Sequence, residues 1–427
     1  MIMNKKYSSP RRLLVMAVVG VLVPALLLLS ACSNAAPALK ASDLMKDVKP
    51  QQVQGTPVDD RFIANNGDFA VTLLKATDAS EKNTFISPLS ILLALSMTAN
   101  GADAATLTQM EEVLGQGISS EDMNRYLLAY VEGLPSHDKS TLNIANSIWF
   151  RDDEGRLQVE KTFLQTNADY YGANAYAAPF DADTVTDIND WVMEKTNGLI
   201  DKIIDQIEED TIMYLINAMV FDAEWATIYR EEQLKDGSFT NVSGTEQPVT
   251  FMDSEEKWYL ENDLGTGFVK PYAKGNYGFF AFLPKEGTDL KDLLNGLDGT
   301  TLLETLASPK EILVYATTPK FSFASEWKMN EPLKSLGMTD AFNSTLANFT
   351  RSGQSSRGNI YVGDVLHKTF IQVDEKGTKA GAVTKVEMRD ESYVEGKIVT
   401  LDRPFLFGVV DMETNLPIFL GTMTEVE

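Results

Sequence analysis

Two histidines, His137 and His367, and one cysteine, Cys32, are the only imidazoles and the only thiol among 427 residues. Histidine-centred catalysis therefore has two possible centres. Neither is accompanied by a G-x-S-x-G nucleophile turn, an H-E-x-x-H pair or a phosphate-cradling glycine loop. An envelope hydrolase with a Ser-His-Asp arrangement can be drawn only through one of them. His137 lies in the polar run LPSHDKS, which reads as surface loop, and His367 stands beside a strand-like run. The carboxylates of DDEG at Asp152 and DADTVTDIND at Asp181 lack the order and central glycine of a calcium loop. They read instead as a solvated loop and a helix N-terminus, where acidic side chains meet the helix dipole. No metal or cofactor is implied.

A different chemistry is written between Glu375 and Pro404. Thr378, Ala380, Ala382, Thr384, Val386 and Met388 alternate with Lys379, Gly381, Val383, Lys385, Glu387 and Arg389. The first set is small or apolar and the second mainly charged, the pattern of a strand with one buried and one wet side. Gly377 and Gly381, with small neighbours, also permit an exposed loop. One segment is thus patterned for two states, an exposed loop and a strand with one buried side. An ordinary edge strand followed by a polar loop is the alternative, but edge strands seldom carry so uniform a small face without a partner to receive it.

The elements that must position this segment follow from periodicity. Apolar residues recur at helical spacing over Asp60–Ala76, Pro88–Asn100 and Ala104–Leu114, with a further amphipathic helix at Thr184–Asn197. Strand-like runs cover Thr141–Phe150, Ile212–Phe221, Ile312–Tyr315, Phe321–Phe323, Thr369–Val373, Phe405–Val410 and Ile418–Leu420. Helices first and strands later, without regular βαβ alternation, predict one α+β domain on largely antiparallel sheets.

Ahead of the domain, Lys5, Lys6, Arg11 and Arg12 precede an apolar run from Leu13 to Leu29. These are the basic and apolar regions of a signal peptide. The run ends in Leu29-Ser30-Ala31-Cys32, similar to a bacterial lipobox, in which cleavage before the cysteine leaves its thiol to be acylated. A transmembrane anchor is the competing reading, and the basic flank, run length and small-residue cleavage site favour the lipoprotein. The expected organisation is a signal peptide over 1–31, lipidated Cys32 with a solvated, mobile tether to residue 58, and a domain over 59–427. The expected location is a bacterial cell envelope, lipid-anchored and facing the surface or extracellular side. A net charge of −24 with no basic stripe excludes nucleic acid as a partner.

FISPLSILLALSMTANGA, from Phe85 to Ala102, is similar to the signature around the second helix of the serpin family. LNIANSIWF, INDWVMEKTNGLIDKII, LINAMVFDAEW, TPKFSF, HKTFIQVDEKGTKAG, LDRPFLFGV and LPIFLG follow in the family's order. The resemblance implies a serpin-like α+β fold with an exposed C-terminal reactive loop at about 375–400. It places Ser87, Ser90, Asn217 and His367 at the shutter, a buried polar cluster beneath the central sheet whose hydrogen bonds can be exchanged as strands part. A static core network, or helix capping by Ser87, would use the same residues. Trp225 falls at the breach, where a loop would enter the sheet. Glu375, Gly377, Thr378, Ala380 and Ala382 fall on the hinge. Lys379 stands where inhibitory members usually carry an acidic residue; on the wet face it should matter little.

The implied function is suicide-substrate inhibition of serine, and by extension cysteine, proteases by a monomer that traps its target covalently. Counting from Glu375 as in the family puts the cut between Glu391 and Ser392. Counting back from Pro404 lands near Tyr393, and Met388 and Arg389 are further baits. A non-inhibitory serpin-like binding lipoprotein is the alternative. Thr378 is expected to lie exposed before cleavage and to enter the sheet first, so that Thr378→Arg should leave the uncleaved protein folded.

Overall fold

Asp59 accepts the amide of Phe62 at 2.9 Å and so opens helix α1 (Asp60–Lys75), whose buried Phe62, Phe69, Ala70, Leu73 and Leu74 follow the helical repeat. Ser87 caps α2 (Pro88–Ala99), with Pro88 in the first turn, and every residue of this apolar helix is buried. Helices α3 (Ala104–Gly115), α4 (Ser120–Gly133), α5 (Lys161–Tyr171) and α6 (Ala182–Lys195) follow. The computed structural model describes residues 39–208, 211–378 and 395–426. The expected signal peptide, Cys32 and residues 379–394 lie outside the described residues. Among the described residues no helix is long and apolar enough to cross a membrane.

In chain order the strands are β1 (Ser42–Asp43), β2 (Thr84–Ile86), β3 (Ser140–Arg151), β4 (Leu157–Val159), β5 (Asn174–Ala178) and β6 (Met213–Glu224). They continue as β7 (Leu234–Thr240), β8 (Glu246–Asn262), β9 (Gly265–Pro271), β10 (Tyr277–Pro284), β11 (Lys310–Pro319) and β12 (Phe321–Lys328). The last are β13 (Gly353–Ser355), β14 (Asp364–Val373), β15 (Gly377–Thr378), β16 (Lys397–Thr400), β17 (Phe405–Asp411) and β18 (Pro417–Met423). One sheet runs β1-β5-β3-β6-β15-β14-β12, and a second runs β16-β11-β8-β9-β10-β17-β18-β2, with β7 paired to β8. Pairing is largely antiparallel, as expected, but β3–β5, β6–β14 and β11–β16 are parallel. The β3-to-β5 connection carries α5, the crossover that a parallel pair requires.

β6 is buried on both faces, which explains its nearly continuous apolar sequence. Met213, Leu215, Met219, Phe221 and Ala223 join the large core with α2, whereas Tyr214, Ile216 and Ala218 join a smaller one with Trp149 and with Ile188, Trp191 and Val192 of α6.

The first sheet is forked. β6 and β14 pair only from Tyr214↔Asp364 to Ala218↔Lys368. At the far end β15 stands between them, with Gly377↔Glu224 and Thr378↔Ala223 on one side and Thr378↔Val373 on the other. Among the described residues, 219–222 of β6 and 369–372 of β14 therefore have a strand on their outer sides only, β3 and β12 respectively.

The expected tether is corrected from Leu39 onward, because this segment is docked. β1 adds antiparallel to the edge of β5, Ala41 N–H donates to Asp187 at 2.7 Å and Gln51 N–H to Asp169 at 2.7 Å. Leu44, Met45, Val48 and Val58 pack on the large core. The segment's average polarity hides these apolar residues, and the unpaired edge of β5 supplies their site. Ser42 pairs with Ala177 in the row of Phe150 and Met213, so the chain enters at the end of the sheet opposite Thr378, which lies in the row of Ala223 and Ser140.

Candidate functional site

The segment Asp374–Thr378 turns between β14 and β15, and its geometry begins with one side chain. Asp374 Oδ1 accepts the amides of Lys376 at 2.8 Å and Gly377 at 3.2 Å, which fixes the turn. Three successive carbonyls are then gripped from outside. Trp225 Nε1 donates to Asp374 O at 2.8 Å, Tyr229 N–H to Glu375 O at 2.8 Å and Trp225 N–H to Lys376 O at 2.9 Å. Gly377 is required here, because a Cβ would lie 2.0 Å from the carbonyl oxygen of Ala223. Glu375 pairs with Lys320 at 2.6 Å, and the Lys320 hydrogen bond holds the carboxyl below its ordinary pKa.

Thr378 departs from the expectation. It is only 3% exposed, paired to both neighbours, with Oγ1 at 2.5 Å from the Tyr272 hydroxyl. Tyr272 in turn stacks on Trp225 at 4.6 Å between ring centres. The buried face assigned to Thr378 is the one it occupies, but it is already seated in the intact chain. An arginine at this position would therefore strain the uncleaved fold. Ala380, Ala382, Met388, Arg389, Glu391, Ser392 and Tyr393 lie outside the described residues, as does Lys379.

Below the fork, Ser87, Ser90, Asn217 and His367 come together, each fully buried. Asn146 of β3, Asn217 of β6 and His367 of β14 form one row across the sheet, at the last turns of the β6–β14 pairing. His367 Nε2 accepts the Ser87 amide at 3.0 Å, so the proton sits on Nδ1 and is donated to Asn217 Oδ1 at 2.6 Å. Burial pushes the His367 pKa down to about 3, and the ring stays neutral. Asn217 Nδ2 donates to Ser90 O at 2.7 Å, to Ser90 Oγ and to Asn146 Oδ1 at 2.5 Å. Ser87 Oγ both accepts the Ser90 amide at 3.2 Å, as a helix cap, and donates to Ile418 O at 2.9 Å. Ser87 thus caps the helix through its hydroxyl and joins the cluster through its amide to His367.

The other candidates are local. His137 is half-buried rather than on the surface, bridging backbone to backbone with Ser140 at the start of β3. Asp152 Oδ1 accepts the Leu157 amide at 3.1 Å, and Asp181 caps α6 through the Thr184 amide at 3.0 Å. Sequence reasoning passed over Asn146, Tyr272, Tyr229 and Lys320. Asn146 carried a signal, since it interrupts the inward face that Ile144 and Ile148 make apolar. The other three are brought to the turn from distant strands and loops, and nothing local marks them.

The family described as Serpin (serine protease inhibitor) matches residues 64–426. A serpin-like protein of Thermococcus kodakarensis is 30% identical over 365 residues, 83% of each chain. The plasma serine protease inhibitor of Bos taurus is 30% identical over 368 residues, 84% of this chain and 89% of its own. Among solved structures, the thermophilic serpin tengpin in its native state is 48% identical with a TM-score of 0.88, over 91% of this chain and 100% of its own. Its latent state gives a TM-score of 0.78 at 49% identity, over 88% and 100%.

Proposed function

Since this chain belongs to the serpin family, we propose that it is a single-use protease inhibitor whose reactive loop is cut and then taken into its own central sheet. The observation that carries this reading is the fork: β6 and β14 are joined at one end, parted beyond Ala218 and Lys368, and entered at the other by Gly377–Thr378. The sequence after Thr378 alternates small or apolar residues with mainly charged ones, the pattern such an opening would accept.

The bait is the Glu391–Ser392 bond, with Met388, Arg389 and Tyr393 as neighbouring choices. The nucleophile of a serine or cysteine protease adds to the bait carbonyl and the peptide bond breaks. The new amino terminus leaves with the chain that leads to β16, and the carbonyl stays on the protease as an ester or thioester. The freed hinge then extends β15 into the gap. On the order of ten backbone hydrogen bonds form, each worth roughly 0.5 to 1.5 kcal/mol net, with apolar burial added. At the row of Asn146, Asn217 and His367, insertion exchanges the Asn217–His367 contact for bonds to the new strand.

Incubation with a panel of serine and cysteine proteases tests this. A denaturant-resistant complex larger than either partner, with a new terminus between Met388 and Val394, is the expected result. Cleaved loop with fully active protease across the whole panel would overturn inhibition and leave the non-inhibitory, loop-presenting alternative.

The same proposal places the protein, as a monomer, at a bacterial envelope through acylated Cys32, on the pattern from Lys5 to Cys32. Mass spectrometry of the membrane-extracted protein should find an N-terminal lipidated cysteine, and Cys32→Ala should appear in the soluble fraction.

A further inference from the structure

Lys270 and Glu256 form an ion pair of 2.8 Å in which the residues are 3% and 5% exposed. Two charges so far from water are a poor source of stability, because desolvation opposes their attraction, and apolar side chains would fill the space as well. Their neighbours give the pair a use. The ammonium lies 4.3 Å from the ring centre of Tyr229 and 5.5 Å from that of Trp225, within cation–π range of both. Glu256 Oε1 also accepts Ser254 Oγ at 2.7 Å, which anchors the carboxylate end. Burial acts to lower the Lys270 pKa, but Tyr229 and Glu256 outweigh it and raise it, so the cation is retained.

Trp225 and Tyr229 are the two residues that grip the carbonyls of Asp374, Glu375 and Lys376. One buried cation therefore contacts both jaws. It comes from β9, in the second sheet, while the turn it serves belongs to the first. A neutral side chain at 270 could fill the volume, but it would not orient two electron-rich ring faces toward one point.

We propose that the Lys270–Glu256 pair is a positioning element for the hinge, fixing Trp225 and Tyr229 so that they hold the turn from Asp374 to Lys376 and deliver the chain after Thr378 into the fork. Its effect on inhibition rests on the function proposed above, whereas the grip is a property of the intact chain and can be measured without any protease.

The test is site-resolved amide hydrogen exchange on the intact protein and on Lys270→Met/Glu256→Gln, which removes both charges together and leaves neither unpaired. The amides of Trp225 and Tyr229 should exchange about tenfold faster, while those of Phe280 and Ala281 in β10 keep parent rates. Lys270→Arg, which keeps the cation, should restore the parent pattern. Against any protease that the parent traps, the neutral pair should raise the stoichiometry of inhibition with little change in the rate of loop cleavage. Unchanged exchange at Trp225 and Tyr229 would overturn the proposal. So would equal acceleration across both sheets, which marks a general stability role. If the double variant does not fold, Glu256→Gln alone must move the same two amides, and parent-like exchange there would likewise overturn it. Absence of any trapped protease would count against the inhibitory function and leave the exchange result to decide the grip.

Discussion

The hydroxyls of Thr378 and Tyr272 lie 2.5 Å apart beneath the mouth of the fork, so the first residue of the small-residue face is bonded inside the sheet while the loop is intact. Thr378→Arg then has two outcomes to choose between. Burying an unpaired guanidinium costs several kcal/mol, whereas releasing a two-residue strand forfeits a few hydrogen bonds of roughly 0.5 to 1.5 kcal/mol each. Release is cheaper. The variant should stay folded with β15 expelled, losing exchange protection at residues 377 and 378 and acting as a substrate instead of an inhibitor. Thr378→Val, which loses only the hydroxyl bond, should keep β15 seated.

Glu375 and Lys320 are each about a third exposed, 33% and 35%, and pair at 2.6 Å across the turn. The Lys320 hydrogen bond lowers the Glu375 pKa in the folded state. A carboxyl depressed on folding stabilises above its unfolded pKa, and that contribution is lost as pH falls through the folded value. The difference in melting temperature between parent and Glu375→Gln should therefore be present at neutral pH, begin to shrink below about pH 4.5 and vanish once the pH lies below the depressed folded value. At this exposure it should be small, on the order of 0.2 to 1 kcal/mol. A difference that persists unchanged in acid would show that the charge is not its source.

His367 has the same sign by a different cause. Burial depresses its pKa to about 3, so the unfolded chain takes up a proton near pH 6.5 that the folded chain refuses. Stability is full above that pH and falls as pH drops, with a slope of at most about 1.4 kcal/mol per pH unit. Between about pH 6.5 and 5.5 few carboxylates titrate, and comparison with a variant lacking His367 separates this imidazole from that of His137 in that window. His367→Gln should be less stable than the parent at pH 7.5, having lost a bond of the cluster, yet show a flatter stability profile across the window. Equal slopes in urea titrations of the two proteins would contradict the buried neutral imidazole.

Local pattern carried much of this fold. The helical repeat from Asp60 ends within one residue of Lys75, Ser87 followed by Pro88 announces α2, and the apolar run over Ile212–Phe221 starts one residue before β6 and stops three short of its end. The polar cluster was legible only because Ser87, Ser90, Asn217 and His367 sit in blocks that occur together in one order. What stayed hidden depends on distant partners. A period-two face says which side of Thr378 is buried once it pairs, but not that Ala223 and Val373 already stand far enough apart to admit it. Leu39–Val58 reads as a tether because Leu44, Met45 and Val48 are sparse among polar residues, and only the open edge of β5 turns them into a docked strand.

That docked strand yields the last prediction. Removal of residues 39–52 strips β1 from β5 and takes away Leu44, Met45 and Val48, together with the Ala41 bond to Asp187 and the Gln51 bond to Asp169. Three partly buried side chains contribute roughly 1 kcal/mol each, offset by the entropy regained by the released backbone. A net loss of about 1–3 kcal/mol is expected, read as a lower urea midpoint. Asp187→Asn, which weakens one anchoring acceptor without deleting the strand, should lose less. The bared edge of β5 should also promote association between copies, visible as concentration-dependent light scattering. A truncated protein with the parent's midpoint and no association would mean that the strand lies on the sheet without supporting it.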